Sequence, residues 1–426
     1  MIQTSNIKKW SKLLESDFGP AIKDMYTASV VATMLDNQNK LNNKLLQESA
    51  VLTSDMANFQ NYAMGIVRRQ FTEMLAINTV TTIPMTQPLG LAYALRYRYA
   101  PTSGTAWANG TEAGYNTIQP NYTGTGVTSA AAGFATAAGE QLSNYYGTGA
   151  TWTSPSADIS ELGMSVEQMP VIAKTRKIRT HYTLEMQQDL ASVHGQDIEQ
   201  ILMEGMQYEV QAELDREILQ RMVRAAQANP IQTIDLSAAT ADGRWSQEKY
   251  ANIANTIVGA ANRIAISTRQ GAGNFVICSP DIVAALQSLQ NGIFTNVATA
   301  IDGTSQVVKV GTLLGGQISV YRDTFTDTGL GSYALVGFKG SRPGESGIIY
   351  MPYIPYIVQK ALGQEDASPR IIVSTRYALV DNIWGSSNYY RLLKFSGIGA
   401  TAGANGTPYL PGSWDATAVN TNYQGS

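Results

Sequence analysis

The stretch 181–228, HYTLEMQQDLASVHGQDIEQILMEGMQYEVQAELDREILQRMVRAAQA, carries the longest uninterrupted helical pattern in the chain. Good helix formers dominate it, and the next proline is Pro230. The pattern predicts a short helix from about Thr183 to Gly195, because glycine readily adopts the left-handed conformation that ends helices. A second helix is predicted to begin one or two residues later and to run for roughly thirty residues, about 45 Å at 1.5 Å per residue.

The apolar residues of this long helix recur every four positions. Because four residues turn roughly 400°, the apolar row drifts by about 40° per step and winds around the helix. A helix in a simple bundle keeps one face buried, so this pattern predicts a helix that packs against different partners at its two ends. The row consists of Ile198, Leu202, Met206, Val210, Leu214, Ile218 and Met222.

Length and composition restrict the class of protein. The 426 residues suffice for about two or three compact units. A net charge of -3 and a pI near 5.6 argue against strong binding to nucleic acid or to an anionic membrane. The only cysteine is Cys278, and neither a signal peptide nor a membrane-spanning apolar run is present, so we expect a soluble protein made in the cytoplasm. The low charge content, with many Gly, Ala, Thr, Asn and Tyr residues, suits broad protein–protein interfaces.

Two segments have too little apolar content to build cores of their own. Residues 1–57 look helical and predict an N-terminal arm lying on a neighbouring subunit, with a removable, scaffold-like leader as the alternative. Between Arg98 and Lys174 there is no Lys or Arg. Residues 99–165 are too long for an idle loop and predict an extended arm laid on another subunit, with disorder as the alternative.

Strand patterns flank this second segment. Residues 58–98 begin with a helical stretch and then alternate with period two at Leu91, Tyr93, Leu95 and Tyr97. Residues 166–181 predict a returning strand that leads into the long helix. Its basic cluster is open to three interpretations: a solvated strand face, pairing with acids of a neighbour, or contact with nucleic acid. The cluster comprises Lys174, Arg176, Lys177 and Arg179.

The second half of the chain mixes helices and strands irregularly, which predicts an α+β fold. A helix is predicted from Gln247 to about Thr268, followed by a buried strand at 275–278 and a helix that Ser279-Pro280-Asp281 begins. Residues 307–323 predict a strand broken by glycines. Three further strand candidates are YALVGFKG at 333–340, SGIIYMPYIP at 346–355 and RIIVSTRYALV at 370–380, and the Gly-rich tail 397–426 predicts an extended appendage.

No catalytic, metal-binding or cofactor-binding site emerges from the motifs. His181 and His194 do not stand in a metal-ligand spacing, and His194 precedes a glycine where a helix-capping role is expected. Cys278 lies in an apolar strand and is expected in the core. The glycines at 271 and 273 precede their strand, unlike a dinucleotide fingerprint, and the glycine cluster at 311–316 lacks the residues of a phosphate loop. These observations favour a non-enzymatic protein.

Several ordered blocks resemble the major head protein of T4-like tailed bacteriophages. The most specific is MQQDLASVHGQD at 186–197, within a similar region that spans 174–219. Together the blocks cover roughly residues 58–396 in the order of the family. The others are IVRRQFTEML at 66–75, PMTQPLGLAYALR at 84–96, GRW at 243–245, RQGAGNFVICS at 269–279, VGTLLGGQISVYRD at 310–323, VGFKG at 336–340, IIYMPY at 348–353 and STRYAL at 374–379.

The resemblance implies an HK97-like capsid fold, with the long helix as the spine helix of a peripheral domain. It implies a subunit that self-assembles into hexameric capsomers of an icosahedral or prolate head, with a pentameric vertex protein of the same family as the alternative. The implied segments are an N-terminal arm or leader at 1–65, a peripheral segment at 66–98, an extended loop at 99–165, the peripheral domain with the spine helix at 166–242, an axial domain at 243–345, returning strands at 346–396 and a tail at 397–426.

The implied partners are neighbouring capsomers and vertex, portal, scaffold and decoration proteins. The head would be assembled in the host cytoplasm and would enclose double-stranded DNA without sequence-specific binding, cofactor or membrane. Larger family members carry a folded insertion in the extended-loop region, where this chain is short and rich in Gly and Thr. Two tripeptides, Leu46-Gln47-Glu48 and Leu13-Leu14-Glu15, loosely fit the family's maturation cleavage pattern, but we expect the N-terminus to be retained.

Overall fold

The structure is a computed structural model. It describes residues 4–14, 22, 24–48, 74–99, 112–113, 162–195, 197–236, 246–289, 293–296, 307–324, 331–340, 344–363 and 368–396. The helical stretch predicted near the start of 58–98 lies outside these residues up to residue 73, as do most of the segment 99–165 and the tail 397–426.

Helices and strands are both abundant in the described residues, which confirms the α+β class. The α-helices are α1 (Thr4–Leu14), α2 (Met25–Glu48), α3 (Leu75–Thr79), α4 (Leu184–Asp189), α5 (Ile198–Gln227), α6 (Ser246–Thr268) and α7 (Pro280–Gln287).

The strands form a four-stranded, a seven-stranded and a two-stranded sheet. Their orders are β1-β11-β12-β4, β5-β13-β10-β6-β9-β8-β7 and β2-β3. The strands are β1 (Thr81–Thr82), β2 (Leu89–Tyr99), β3 (Leu162–Ile172), β4 (Lys174–His181), β5 (Gln232–Asp235), β6 (Phe275–Cys278), β7 (Phe294–Asn296), β8 (Val307–Leu313), β9 (Ile318–Asp323), β10 (Ser332–Gly337), β11 (Ile348–Leu362), β12 (Pro369–Asp381) and β13 (Tyr390–Ser396).

Helix α5 is the predicted spine helix, and it begins and extends over about thirty residues as the sequence predicts. Asp197 caps its N-terminus, where the carboxylate accepts the N–H of Glu199 at 3.0 Å. The preceding helix α4 continues as a π-helical turn, Leu190–His194, and ends at Gly195 with φ +61°. The left-handed cap is confirmed, whereas the π-helical turn was not predicted.

The apolar row of α5 is buried, and its partners change along the helix as predicted. Near the start, the Tyr182 hydroxyl donates to Glu199 at 2.6 Å, which ties α5 to the chain that leaves β4. Beyond the C-terminus, Asn229 donates to the carbonyl of Ser387 at 2.6 Å, beside the seven-stranded sheet. The buried members of the row are Ile198, Met206, Val210, Leu214, Ile218 and Met222.

The N-terminal region differs from the expected arm on a neighbouring subunit. Helix α2 packs in the core of its own chain, where Val31, Ala32 and Leu35 are fully buried. Asn37 donates to the carbonyls of Met85 at 2.8 Å and Tyr353 at 3.1 Å. The short apolar run VVATML therefore completes this chain's own fold.

The seven-stranded sheet extends beyond the segment 243–345 that the sequence assigned to an axial domain. Strand β13 pairs with β10 and β5, and both β5 and β13 lie outside that segment. The predicted glycine-broken strand is a hairpin of β8 and β9, which turns at Leu314–Gly316 with φ +63° at Gly315. The other predicted boundaries remain predictions.

Contacts divide the chain into two compact units. The larger unit contains Met1–Gly90, Val171–Ala265 and Gln270–Ser426, and it holds the four-stranded and seven-stranded sheets. The smaller unit contains Leu91–Pro170 and Ile266–Arg269, and it holds most of the β2–β3 hairpin.

Candidate functional site: exposed assembly surfaces

The β2–β3 hairpin exposes a continuous apolar face. Because strand side chains alternate between faces, the odd-numbered positions of β2 share one side. Tyr93 is 72% exposed and Leu95 is 55% exposed. The exposed apolar side chains are Leu91, Tyr93, Leu95 and Tyr97 on β2 and Leu162, Met164 and Val166 on β3.

The charged residues of the hairpin pair with one another. The Glu167 carboxylate accepts from Arg96 at 3.1 Å and from Arg98 at 2.6 Å. Arg98 also donates to the Ser165 hydroxyl at 3.1 Å, and Arg96 lies 3.7 Å from Glu112. The arginine side chains are largely shielded from solvent. This pairing leaves the apolar side chains as a separate exposed row.

An apolar surface of this kind is unfavourable in a free subunit. Burial of one large apolar side chain contributes about 1.5–3 kcal/mol, so covering seven of them yields roughly 10 kcal/mol before the costs of association. Monomeric soluble proteins rarely expose contiguous apolar patches of this kind. The hairpin therefore has the character of an interface.

A second exposed surface lies where α4 passes into the π-helical turn. None of its residues is buried, although Leu184, Met186 and Val193 are apolar. Met186 and Val193 border an open groove of about 440 Å³. Short π-helical turns often occur at functional positions. The groove is lined by Thr183, Glu185, Met186, Asp189, Leu190, Val193 and His194.

His181, His194 and Cys278 lie in three different elements of the fold. His181 is exposed on β4, and His194 is exposed at the end of the π-helical turn. Cys278 is fully buried in β6, and burial raises the pKa of its thiol above the usual range. A Cβ at Gly271 would lie 2.7 Å from the Phe338 ring, so this glycine serves close packing. No group of three His, Cys, Asp or Glu side chains suited to a metal ion occurs among the described residues.

Comparison with known proteins decides the family. A model of the major capsid protein Gp23 matches residues 56–395. The chain belongs to the Gp23 family of major capsid proteins. It is a structural subunit of the head shell of a tailed bacteriophage, which confirms the resemblance found in the sequence.

Several relatives are major capsid proteins of named phages. That of Salmonella phage ViI is 28% identical over 401 residues, covering 88% of this chain and 89% of the relative. That of Vibrio phage KVP40 is 32% identical over 267 residues, covering 59% and 50%. That of Enterobacteria phage T4 is 28% identical over 248 residues, covering 54% and 46%.

Solved structures give more distant likenesses. A chain from Microbacterium phage Oxtober96 aligns with a TM-score of 0.42 and 12% identity over 76% of this chain and 91% of that chain. A chain from the capsid of Myoviridae phage XM1 aligns with a TM-score of 0.39 and 9% identity over 74% and 89%. The family assignment therefore rests on the sequence match. No helix in the described part of this capsid protein is long and apolar enough to cross a membrane.

Buried polar groups fix the spine helix to both large sheets of the capsid protein. Asp323 on β9 is almost fully buried, and its carboxylate accepts from Arg216 at 3.0 Å and from the Tyr333 hydroxyl at 2.6 Å. Burial, together with the Asp323 charge, raises the pKa of Tyr333 above the usual range. Toward the four-stranded sheet, Arg176 donates to Glu217 at 2.6 Å. These contacts hold the spine helix in one register against both sheets.

One acid on the spine helix is buried without a cation within hydrogen-bond distance among the described residues. Asp215 is 4% exposed, and its Oδ1 accepts the N–H of Leu75 at 3.1 Å. Met74 precedes α3 and its side chain does not cap the helix. The first N–H of α3 instead donates to Asp215, which is 140 residues further along the chain. Burial raises the pKa of Asp215 from 3.8 to about 7, and the Leu75 N–H opposes this shift.

Replacement of Asp215 by asparagine should change how stability depends on pH. Asp215 keeps its proton in the folded chain up to about pH 7, whereas the unfolded chain releases it near pH 4. Stability therefore falls as pH rises between these values, by roughly 4 kcal/mol from this group. Asp215→Asn keeps the acceptor for Leu75 and removes the charge. We expect the Tm of the variant to rise relative to wild type as pH increases from 4 to 8.

Asp189→Asn provides the control, because Asp189 is exposed on α4. This exchange should change the Tm little, as surface substitutions usually do. A Tm difference between Asp215→Asn and wild type that stays the same from pH 4 to pH 8 would contradict the raised pKa of Asp215.

Proposed function

We propose that the chain assembles into hexameric capsomers and that these close into an icosahedral or prolate head. The observation that carries this proposal is the exposed apolar face of the hairpin. The apolar face of the hairpin in one copy would meet the spine-helix region of the next copy. Because these two surfaces differ, the contact is heterologous and can close a ring. Obligate interfaces of this kind often bury 2,000–5,000 Å² or more.

In this arrangement the hairpin, with the extended loop 99–165, lies over a neighbouring copy. The spine-helix region of that copy supplies a matching surface, since apolar side chains are also exposed there. They are Leu184, Met186 and Val193 in α4 and its π-helical turn, and Ile201 and Tyr208 on α5. Repetition of modest contacts around a closed shell raises the effective concentration at each contact and so resists dissociation.

The proposed role needs no catalysis. The full burial of Cys278 supports this proposal. We further propose that the subunit is made in the host cytoplasm and meets vertex, portal, scaffold and decoration proteins. The head encloses double-stranded DNA without sequence-specific binding, and the net charge of -3 supports a container that does not hold DNA tightly.

Charges on the apolar face should block assembly and leave the subunit folded. Tyr93→Glu combined with Leu95→Glu places two carboxylates on side chains that are exposed in the free chain. Burying unpaired charge costs several kcal/mol, so native mass spectrometry should detect monomers in place of hexamers. The control, Gln220→Glu with Gln227→Glu, adds the same charge to exposed positions of the spine helix. Wild-type hexamers from the hairpin variant would contradict the proposed contact.

We also expect the chain in mature particles to begin at Met1. Cleavage after Glu48 would remove α2, including the fully buried Val31 and Leu35. Loss of these side chains would open a cavity, and cavities in a core cost about 2–5 kcal/mol for each large side chain. Intact mass spectrometry of protein from purified heads tests this expectation. A mass that corresponds to a start at Ser49 or Ser16 would contradict it.

A further inference from the structure

The basic cluster of β4 is divided between the two faces of the four-stranded sheet. Arg176 lies on the face of the spine helix, where it donates to Glu213 and Glu217. Lys177 and Arg179 differ from Arg176 by an odd number of positions and therefore lie on the opposite face. They are exposed, as is His181 two positions further along. Lys177, Arg179 and His181 are called the basic row below.

The basic row meets no acid among the described residues. The side chains of Lys177 and Arg179 form no ion pair or hydrogen bond within the described part of the chain. The same face of the neighbouring strand β12 carries more positive charge, because Arg376 pairs with Thr175, and Arg370 pairs with His181. The Arg376 guanidinium lies 5.3 Å from the centre of the Tyr353 ring. This face of the sheet is therefore locally positive, although the net charge of the chain is -3.

The sequence between β11 and β12 contains Glu365 and Asp366, which lie outside the described residues. In the strand register, Arg370 and His181 are the basic groups nearest to that segment. Lys177 pairs with Ser374, further along β12, so Lys177 and Arg179 are the residues chosen for testing.

The composition of the row favours a polyanion over another protein surface. Outward positions of β4 are Thr175, Lys177, Arg179 and His181, with no apolar side chain among them. Interface cores between proteins are depleted in lysine and enriched in aromatic residues, unlike this row.

We propose that the basic row faces the interior of the head and contacts the phosphates of the packaged double-stranded DNA. This inference rests on the proposed function as a DNA-enclosing shell. It places the face of the four-stranded sheet that lies opposite the spine helix toward the inside of the head. The contact is independent of base sequence, because only phosphates are touched. A few such contacts per subunit give weak binding, which suits DNA that must be packed and later released. An edge strand can also carry lysine only to discourage aggregation, and that role predicts no DNA binding.

The first test measures binding of the purified full-length chain to a fluorescein-labelled DNA duplex by anisotropy over a range of salt concentrations. Lys177→Glu with Arg179→Glu should weaken binding at least about tenfold at low salt. It should also reduce the slope of log K against log salt by about two, roughly one for each phosphate contact. Lys8→Glu with Lys309→Glu is the matched control, because both lysines are exposed and the charge change is equal. The control should bind as the wild type does.

The second test compares acylation of lysines in DNA-filled and empty heads by mass spectrometry. We expect Lys177 to be protected in filled heads and Lys309 to react equally in both. Equal reactivity of Lys177 in filled and empty heads would overturn the proposal. Equal duplex binding by wild type and the Lys177/Arg179 variant would overturn it as well.

Shell formation by the variants distinguishes a failure of this inference from a failure of the proposed function. Shells from the Lys177/Arg179 variant, with weakened DNA binding, support both. If this variant forms no shells and the control does, the row contacts another copy and the assignment to DNA is wrong. If the wild-type chain forms no shells, the proposed function is wrong, whether or not the chain binds the DNA duplex. Should the glutamate variant not fold, Lys177→Gln with Arg179→Gln provides the same comparison by removing the charges.

Discussion

Replacement of Leu214 by aspartate is expected to prevent folding of the capsid subunit. Leu214 is 2% exposed in the buried row of the spine helix. Loss of a buried leucine costs about 2–5 kcal/mol, and burial of an unpaired charge adds several more. The sum approaches the whole stability of a typical domain, about 5–15 kcal/mol. Circular dichroism and thermal unfolding should show no cooperative transition at neutral pH.

Gln220→Asp is the matched control for this prediction. Gln220 lies on the same helix and is exposed, so the added charge remains in water. Such surface changes usually alter stability by no more than about 0.5 kcal/mol. Wild-type melting and assembly of the Leu214 variant would show that this face of the spine helix is exposed.

Deletion of residues 101–158 should leave a folded, soluble subunit that forms no closed shells. This segment lacks lysine and arginine. It belongs to the smaller unit, so its removal leaves the four-stranded and seven-stranded sheets of the larger unit in place. The strands β2 and β3 that flank it remain and are joined by a short Gly-Ser linker. Without the loop, each subunit loses its reach over the neighbouring copy. Electron microscopy should show no shells.

Two further measurements make this deletion decisive. Circular dichroism and a Tm close to wild type must first show that the deleted chain is folded. Shells of normal size and number from the folded variant would then contradict the proposed role of the loop.

The spine helix shows how much of the fold local sequence determines. The start of the long helix, the left-handed Gly195 and the buried apolar row all follow from local patterns and are confirmed. Asp215 within the buried face was missed, because its partner is the backbone N–H of Leu75. A backbone partner 140 residues away leaves no signal in a periodic pattern.

Pairing between distant segments was the least predictable part of the fold. Strands β5 and β13 are short and were not predicted, since β13 is stabilised by its neighbours β10 and β5. The same limit applies to α2, where VVATML indicates burial without indicating which chain provides the covering surface. Local sequence specifies that a face is apolar, whereas tertiary contacts decide what covers it.

The candidate interface was predictable in part. Period-two alternation at Leu91, Tyr93 and Leu95 predicted a strand, but only the structure shows that this apolar face is exposed. For the basic cluster, strand alternation already separates Arg176 from Lys177 in the sequence. The pairing of Arg176 with acids of the spine helix required the fold.

Electron cryomicroscopy of assembled heads tests the central claim most directly. We predict six copies around the axis of each hexameric capsomer, with Tyr93 and Leu95 of one copy buried against the next. A shell in which the apolar face of the hairpin stays exposed to solvent, or a purified chain that forms no capsomers, would contradict it.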